Sequence, residues 1–353
     1  MGFEIDYLPV GNGKQSGDAI ALRYGNLFGP RNEQVIVMID GGTKESGQAL
    51  VNHVITHYGT RKVDYVFCTH ADGDHASGLT IVVEQLEVGV LIMQQPWDHA
   101  EEIRSLFKDG RITDLSLGIR IRKSLQAAHD LERTAIENGV TIVEAFAGDY
   151  TPDGAIRVLG PSRDYYQTLI CNFRGTPEPK GLVELSLLKA AGVVDQTVQW
   201  FDERLFGESL REPSEDTSAE NNSSMILYME YEGMGMLFTG DAGVPALTHA
   251  ADYAAATGIR LQGLRLLHVP HHGSKRNVGP RILNRITAET AYISASAWGE
   301  PKHPSKKVTN ALKRRGASVF TTQGKSIRHH YNAPDRQGWS SATPVPFYDF
   351  VED

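Results

Sequence analysis

The sequence predicts an α/β fold, and three observations support this class. Apolar runs rich in β-branched residues recur along the chain, as in QVIVMIDGG, which contains Asp40, and KVDYVFCTH, which ends at His70. Segments with helical patterning follow these runs, so strands and helices alternate from QVIVMIDGG to VGVLIMQQ. The chain has 353 residues, of which 41% are hydrophobic and 22% charged, as in ordinary globular proteins.

The N-terminal half is predicted to form strands with helices between them. Two strands joined by a turn, FEIDYLPVG and DAIALRYG, precede the buried strand that ends at Asp40. A helix is predicted over residues 45–58, and after KVDYVFCTH a second helix, SGLTIVVEQLEV, leads into the strand VGVLIMQQ. Helical patterning then covers much of residues 100–140, and the segments TIVEAF and AIRVLGP return to strands.

The C-terminal half begins with an irregular segment and then returns to strands. Residues 172–222 combine TPEPKG with the acidic stretch GESLREPSEDTSAENNSS, which we interpret as an insertion or lid. The hairpin MILYMEYEGMGMLFTGD follows, then the strands LRLLHVP, TAYISAS and SVFTTQG, with helices around KHPSKKVTNALKRRG. We expect a single domain over residues 1–353.

Composition also restricts the class of protein. Cys68 and Cys171 are too few for a disulfide framework, and free thiols favour a reducing compartment, so a cytoplasmic location is expected. A signal-peptide pattern and an apolar run of about 18 residues are both absent from the sequence, so no membrane segment is predicted. The net charge of −8 disfavours nucleic acid binding by the whole surface, although basic residues gather in HHGSKRNVGPR and LKRRG.

The segment FCTHADGDHASGL concentrates imidazole and carboxylate groups directly after a predicted buried strand. A solvated, aspartate-rich turn is one explanation for such a segment. Three other strands, however, also deliver acidic or histidine residues at their carboxyl ends, where a rigid scaffold positions metal ligands or catalytic groups. The residues in these four places are Asp40; His70, Asp72, Asp74 and His75; Asp241; and His271 with His272.

In these motifs the chain resembles the hydrolases of the metallo-β-lactamase fold. Within that superfamily it is most similar to the soluble hydrolase domain of the ComEC competence proteins, in YLPVGNG with GDAIAL, THADGDHASG, FTGDA, LLHVPHHGSK and KHPSKKV. The resemblance covers residues from about 3 to 330. It implies a four-layer αββα sandwich with a metal site at one edge between the sheets, and a metal-dependent hydrolase of phosphodiesters.

The resemblance also implies a set of metal ligands. His70 and Asp72 would face one ion, Asp74, His75 and His271 a second, and Asp241 would bridge the two. Asp72 stands where the common turn has histidine, and the usual histidine before the TGD strand is replaced by Glu220, Asn221 or Asn222. Two divalent ions, Mn²⁺ or Zn²⁺, are expected, and the extra carboxylate favours Mn²⁺ or Mg²⁺ over zinc. The sequence does not distinguish His271 from His272, and we favour His271.

Further residues are assigned to catalysis or substrate binding. Besides Asp74, the expected catalytic residues are Asp40, as an acceptor that orients His70 or the nucleophilic water, and His303, as a proton donor or phosphate ligand. A helix N-cap is the alternative role for Asp40, and a simple loop histidine for His303. Ser274, Lys275 and His272 are the expected substrate-binding residues, with an ordinary surface lysine as the alternative for Lys275.

The sequence therefore favours a phosphodiesterase, in particular a nuclease that attacks DNA with a metal-activated water. The expected partner is a nucleic acid or another phosphodiester. Two alternatives stay open. One is a hydrolase of a small phosphodiester, an ester or a lactam, and the other is a non-catalytic partner-binding module of a defence or DNA-uptake system.

Overall fold

The computed structural model describes residues 1–10, 16–180, 200–297 and 303–352. In chain order, the strands are β1 (Gly2–Tyr7), β2 (Ala19–Gly25), β3 (Gln34–Gly41), β4 (Lys62–Cys68), β5 (Glu87–Met93), β6 (Thr141–Val143), β7 (Ile156–Gly160), β8 (Trp200–Asp202), β9 (Ile226–Tyr231), β10 (Met234–Phe238), β11 (Leu264–His268), β12 (Ala288–Ile293), β13 (Ser318–Thr321), β14 (Ile327–Tyr331) and β15 (Phe350–Glu352).

Helices alternate with these strands. In chain order, they are α1 (Lys44–His53), α2 (Gly73–Gln85), α3 (Ala100–Ile103), α4 (Asp114–Ser124), α5 (Gln126–Glu137), α6 (Arg163–Ile170), α7 (Glu203–Phe206), α8 (Ala219–Asn222), α9 (Val244–Ala256), α10 (Pro280–Arg285) and α11 (Lys306–Arg314).

Two mixed sheets form the centre of the described structure. The first has the strand order β14-β1-β2-β3-β4-β5-β6, and the second has the order β13-β12-β11-β10-β9-β7. The short strands β8 and β15 pair separately with each other. Strands β3 to β6 run parallel, as do β10 to β13, so the carboxyl ends within each group lie on one edge of its sheet.

Three hydrophobic clusters fill the spaces between four layers. One packs helices such as α2, through Leu79 and Val82, on the outer face of the first sheet. A second packs α9 and α11, through Leu247 and Leu312, on the outer face of the second sheet. The third lies between the sheets and contains Phe238. This confirms the predicted αββα sandwich, in which each sheet buries both faces.

Two local predictions need correction in the region of α1. The helix expected over residues 45–58 is an α-helix only to His53, and residues 54–58 form a wider π turn that ends at Gly59 in a left-handed conformation. The N-cap of this helix is Thr43, whose hydroxyl accepts a hydrogen bond from the amide of Ser46. Asp40 lies further back, at the end of β3, and is therefore not the cap.

The expected insertion at residues 172–222 is only partly described, because residues 181–199 lie outside the described ranges. Its later part packs on the body of the protein. Strand β8 pairs with β15, and Leu210 is 2% exposed in the cluster outside the second sheet. A lid function for the segment stays a prediction. Among the described residues, the structure contains no helix that is long and apolar enough to span a membrane.

Candidate metal centre

The candidate metal centre begins where β4 ends and α2 starts. Asp72 is the N-terminal flanking residue of α2, and its carbonyl oxygen accepts hydrogen bonds from the amides of His75 and Ala76 at 3.1 and 2.9 Å. This turn places the rings of His70 and His75 side by side, with centroids 4.2 Å apart, and both residues are buried. The short sequence HADGDH therefore delivers two imidazoles to one point.

Asp40 holds this turn against the end of β3. Its φ of 57° is left-handed, a conformation that aspartate tolerates better than most residues. Its Oδ1 accepts from the amide of Thr69 at 2.7 Å, and its Oδ2 accepts from the Thr69 hydroxyl at 2.7 Å and from Nδ1 of His75 at 2.8 Å. The structure therefore places Asp40 on His75 directly, and on His70 only through Thr69.

The same contacts select the tautomers of the two histidines. Because the Thr69 hydroxyl donates to Asp40, it can accept a hydrogen bond from Nδ1 of His70, 3.1 Å away. The Nδ1 atom of His75 donates to Asp40. Both rings consequently direct Nε2 toward the centre, and a metal ion could bind there in place of a proton, as it does at metal-binding histidines.

Glycines allow α2 to approach the end of β3 this closely. A Cβ atom on Gly78 would lie 1.9 Å from the carbonyl oxygen of Gly41, and one on Gly47 of α1 would lie 2.1 Å from that of Gly78. Any larger residue would push α2, and with it His75, away from Asp40.

Asp241 is the central carboxylate and follows β10 in the second sheet. It is 3% exposed, and each of its oxygens faces two histidines. Oδ1 lies 3.4 Å from Nε2 of His75 and 3.8 Å from Nε2 of His272. Oδ2 lies 3.6 Å from Nε2 of His271 and 4.0 Å from Nε2 of His70. The arrangement has a pair of imidazoles on each side of one carboxylate.

The two adjacent histidines after β11 point to different sides of Asp241. Both have left-handed φ values, 46° for His271 and 56° for His272, and their rings are tilted by 73°. Nδ1 of His272 donates to the carbonyl oxygen of Ser294 at 2.9 Å, and Nδ1 of His271 donates to Oδ1 of Asn277 at 2.9 Å. It is His272 that lies 4.0 Å from Asp74, where the sequence favoured His271.

The converging atoms match the requirements of a metal site. Nε2 of His70, His75 and His272 and Oδ1 of Asp241 are buried without any hydrogen-bond partner, although buried polar atoms normally have one. Ligand atoms of these residues form groups of three within 4.8 Å of one another, and one group includes Asp74. Imidazole nitrogens with a carboxylate suit zinc or manganese, so the residues present fit the metal that the sequence predicts.

The charges at the centre support one another. Burial raises the pKa of Asp241, but the charges of His75, His272 and His271 outweigh burial and hold that pKa well below the usual range. Burial lowers the pKa of His75, but the carboxylates of Asp241 and Asp40 outweigh it and raise that pKa well above the usual range. The site thus attracts positive charge strongly, and a metal ion would replace the proton on His75.

A further acid, Asp18, lies next to the centre and was not among the site residues predicted from the sequence. It is 1% exposed, its Oδ1 lies 3.1 Å from Nε2 of His268, and its Oδ2 lies 3.8 Å from Nδ1 of His75. Burial raises the pKa of Asp18, but the charge and hydrogen bond of His268 outweigh burial and bring the pKa to about 2. The motif GDAIAL was a signal, but a lone aspartate at the start of a strand does not by itself indicate a role.

The expected substrate-binding and proton-transfer residues lie beside the metal-binding groups. The ring of His303 is 6.0 Å from that of His271 and 6.2 Å from that of His272, measured between centroids. Ser274 is buried, and its hydroxyl accepts from the amide of Arg276 at 3.3 Å, whereas Lys275 is exposed. The structure brings His303 to the centre and leaves the side chain of Lys275 in solvent.

The three residues that replace the usual histidine before the TGD strand lie on α8. Glu220 accepts a hydrogen bond from the amide of Arg174 at 2.6 Å, and Nδ2 of Asn221 lies 3.3 Å from Nδ1 of His271. Asn222 donates to the carboxylate of Asp216 at 2.9 Å. These contacts support the loops around the site, and Glu220 belongs to none of the groups of histidine and acidic ligands in the described parts of the chain.

Comparisons of the sequence with known proteins bear on the family to which the chain belongs. The sequence model of the metallo-beta-lactamase superfamily matches residues 31–298. ComE operon protein 3 of Bacillus subtilis (strain 168) is 30% identical over 172 residues, which cover 47% of this chain and 21% of that protein. Recombination protein 2 of Haemophilus influenzae (strain ATCC 51907 / DSM 11121 / KW20 / Rd) is 28% identical over 106 residues, which cover 30% of this chain and 13% of that protein.

The aligned parts therefore span about a fifth or less of the length of these two relatives. A solved structure of a metal-dependent hydrolase of the beta-lactamase superfamily has a TM-score of 0.42 and 12% identity, covering 93% of this chain and 98% of that one. The match to the family model runs from before β3 to beyond β12 and includes Asp40, the turn before α2, Asp241 and the two adjacent histidines. This chain belongs to the metallo-beta-lactamase superfamily.

Proposed function

We propose that this protein is a metal-dependent phosphodiesterase that acts on DNA. One observation carries the proposal: four imidazole nitrogens converge from two sheets on the two oxygens of Asp241. Such a cluster is suited to two neighbouring cations, and paired cations are common in enzymes that hydrolyse phosphate esters.

The four histidines divide according to the oxygen of Asp241 that they face, and Asp74 and Asp72 are grouped with the histidines that they approach. His75, His272 and Asp74 would hold one ion on the Oδ1 side. His70, His271 and Asp72 would hold the other on the Oδ2 side, where Oδ2 of Asp72 lies 3.8 Å from Nε2 of His70. Divalent cations held there would polarise a phosphoryl oxygen and make water acidic enough to supply a nucleophile near neutral pH.

Other residues of the chain would orient these ligands and bind the substrate. Asp40 and Thr69 keep His75 and His70 in the tautomers that direct Nε2 to the centre. Asn277 orients His271 and also donates to the backbone carbonyl oxygen of Asp241 at 2.8 Å. His303 lies beside the two adjacent histidines, where it would contact the phosphate or the leaving oxygen.

Two observations support DNA as the substrate. Lys275 and Arg276 are exposed and follow the adjacent histidines directly, so they supply positive charge beside the proposed metal ligands. One relative is named a recombination protein, and another is the product of the ComE operon. These names belong to much longer proteins, and DNA is therefore proposed for this chain as the substrate to test first.

The test measures the hydrolytic activity of the parent protein and of an Asp74→Ala variant, both stripped of metal beforehand. The substrates are single-stranded DNA, plasmid DNA, RNA, a small chromogenic phosphodiester and a chromogenic lactam. Each substrate is assayed with Mn²⁺, Mg²⁺ and Zn²⁺ in turn. We expect metal-dependent cleavage of DNA by the parent protein and its loss in Asp74→Ala. An Asp252→Asn variant, changed at an acid of α9 whose side chain is 64% exposed, is the matched control and should keep parental activity.

Two results would contradict the proposal. Turnover of the lactam alone would assign a different reaction. Failure of the protein to bind any of the three ions, in equilibrium dialysis with metal analysis, would remove the metal centre itself.

A further inference from the structure

Arg174 forms an ion pair with Asp72, one of the proposed metal ligands. Its terminal nitrogen Nη2 donates to Oδ1 of Asp72, while Oδ2 of the same carboxylate faces His70. The side chain of Arg174 is 50% exposed and that of Asp72 is 22% exposed, so the pair is in contact with solvent. Asp72 is therefore shared between a guanidinium group and the Oδ2 side of the metal centre.

The position of Arg174 is fixed by more than this ion pair. Its amide donates to Oε1 of Glu220 at 2.6 Å, and its Nε donates to the carbonyl oxygen of Ser124 at 3.3 Å. Glu220 is 5% exposed, so the backbone of Arg174 is anchored by a buried acid. One residue thus connects α8, the junction of α4 with α5, and the turn before α2.

The two sides of Asp241 differ in their surroundings for this reason. On the Oδ1 side, Nδ1 of His75 donates to Asp40, and Nδ1 of His272 donates to the carbonyl oxygen of Ser294. Among the described ion pairs, no lysine or arginine contacts Asp74. On the Oδ2 side, the guanidinium group of Arg174 already neutralises Asp72. A guanidinium group stays charged at any accessible pH, so it competes with a metal ion for the carboxylate and repels that ion.

We infer that Arg174 makes the two metal positions unequal, by weakening the one that Asp72 serves. The inference rests on the proposed function, because it assumes that the centre binds two ions. The position on the Oδ1 side fills first, and the position on the Oδ2 side fills only at higher metal concentration. Arg174 is in this sense a positioning residue, since it acts on the metal through Asp72.

The experiment measures metal binding and does not depend on turnover. Metal-free protein is titrated with Mn²⁺, and the free ion is followed by electron paramagnetic resonance, for the parent protein, Arg174→Gln and Arg174→Lys. For Arg174→Gln we expect the weaker equivalent to bind roughly tenfold tighter, which corresponds to the removal of about 1.4 kcal/mol of repulsion, with little change in the tighter one. Arg174→Lys keeps the positive charge and should bind like the parent.

Controls separate this inference from the proposed function. Arg285 is a half-exposed arginine whose Nη2 lies 2.6 Å from Oδ1 of Asp252 on α9. Arg285→Gln should leave the affinities of both metal equivalents unchanged. An unchanged or weaker second equivalent in Arg174→Gln would overturn the inference while leaving the metal centre in place. A parent protein that binds no Mn²⁺, Mg²⁺ or Zn²⁺ would instead overturn the proposed function.

Discussion

Asp18 adds a further negative charge to the centre, next to Nδ1 of His75, whereas Asp241 faces Nε2 of the same ring. Its Oδ2 is buried without a hydrogen-bond partner, and its Oδ1 contacts His268 at 3.1 Å and approaches Nδ1 of His272 at 3.9 Å. Since His75 and His272 would bind the same ion, Asp18 stabilises positive charge on that side of the site.

The first prediction concerns Asp18. In Asp18→Asn, which keeps the size of the side chain but removes its charge, metal affinity should fall by about tenfold or more, as for other residues behind metal ligands. Mn²⁺ titration of the tighter equivalent measures this change, and thermal unfolding checks that the fold is kept. Equal affinities in a well-folded variant would show that Asp18 supports only the packing of His268.

The second prediction concerns Asp72, which stands where the common turn of the family has histidine. Imidazole suits zinc better than a carboxylate does, so Asp72→His should move the metal preference from Mn²⁺ toward Zn²⁺. Competition between the two ions, with the bound metal quantified after dialysis, gives the ranking directly. If parent and variant rank the metals in the same order, Asp72 does not contact a metal ion.

Residue types and short spacing were enough to predict the turn that carries His70, Asp72, Asp74 and His75. The partners of these residues were not predictable in the same way. Arg174 is 102 positions from Asp72 and reaches it only because the fold brings the segment after α6 beside α2. The roles of the adjacent histidines after β11 depend on two left-handed backbone conformations. A His-His pair in a sequence does not predict such conformations.

At the scale of elements, the segment from β8 to α7 is joined to α11 by an ion pair between a buried carboxylate and a partly exposed arginine. Glu203 has no exposed side-chain surface, and its Oε2 lies 3.1 Å from both Nε and Nη2 of Arg314. The same carboxylate accepts from the hydroxyl and amide of Ser209. These contacts make the described part of the expected insertion an integral part of the fold.

The third prediction follows from this buried carboxylate. Glu203→Ala leaves the buried amide and hydroxyl of Ser209 without their acceptor, so the free energy of unfolding should fall by about 2 kcal/mol, a usual cost of unsatisfied buried hydrogen-bonding groups. Urea denaturation measures the change. Arg204→Ala is the control from the same turn, because Arg204 is 77% exposed and only 3.8 Å from Asp349, and it should change stability by less than about 0.5 kcal/mol.

Alternation of apolar runs was sufficient to predict the long strands and the helices between them, because each is long enough to show its period. The pairing of β8 with β15 was not predictable, since each strand has three residues and no periodicity can be read over that length. The π turn after α1 was also missed, because its apolar residues continue the helical pattern.

At the scale of the whole molecule, the two sheets pack around several polar groups as well as apolar ones. His329 of β14 is one of them, and it is 8% exposed. Its ring lies 5.8 Å from that of Phe3 in the first sheet and 5.7 Å from that of Tyr292 in the second. Burial, together with the positive charges of Arg265 and His330, lowers the pKa of His329 to about 4.

The fourth prediction is a pH dependence of stability. Between the ordinary histidine pKa of 6.5 and the folded value of about 4, the unfolded chain binds a proton at His329 that the folded protein does not. The free energy of unfolding should therefore fall as pH falls through this window, by up to roughly 3 kcal/mol from this one group. His329→Phe should remove that part of the loss, as measured by urea denaturation at several pH values.

The control for this prediction keeps the histidine and disturbs its neighbour. Phe3→Leu alters the same packing, so its stability relative to the parent should vary far less with pH than that of His329→Phe. If the difference between His329→Phe and the parent is constant from pH 7 to pH 4, His329 is not the group responsible.

The residues that face Asp241 come from both halves of the sandwich: His70 and His75 follow a strand of the first sheet, and His271 and His272 follow a strand of the second. If the proposed function is correct, each bound ion would connect the two sheets through its ligands. The unfolded chain would offer that ion no comparable site. The free energy of unfolding would then depend on the concentration of free metal in the solution as well as on the sequence. Above its dissociation constant, each ion would add about 1.4 kcal/mol to the free energy of unfolding for every tenfold rise in free metal.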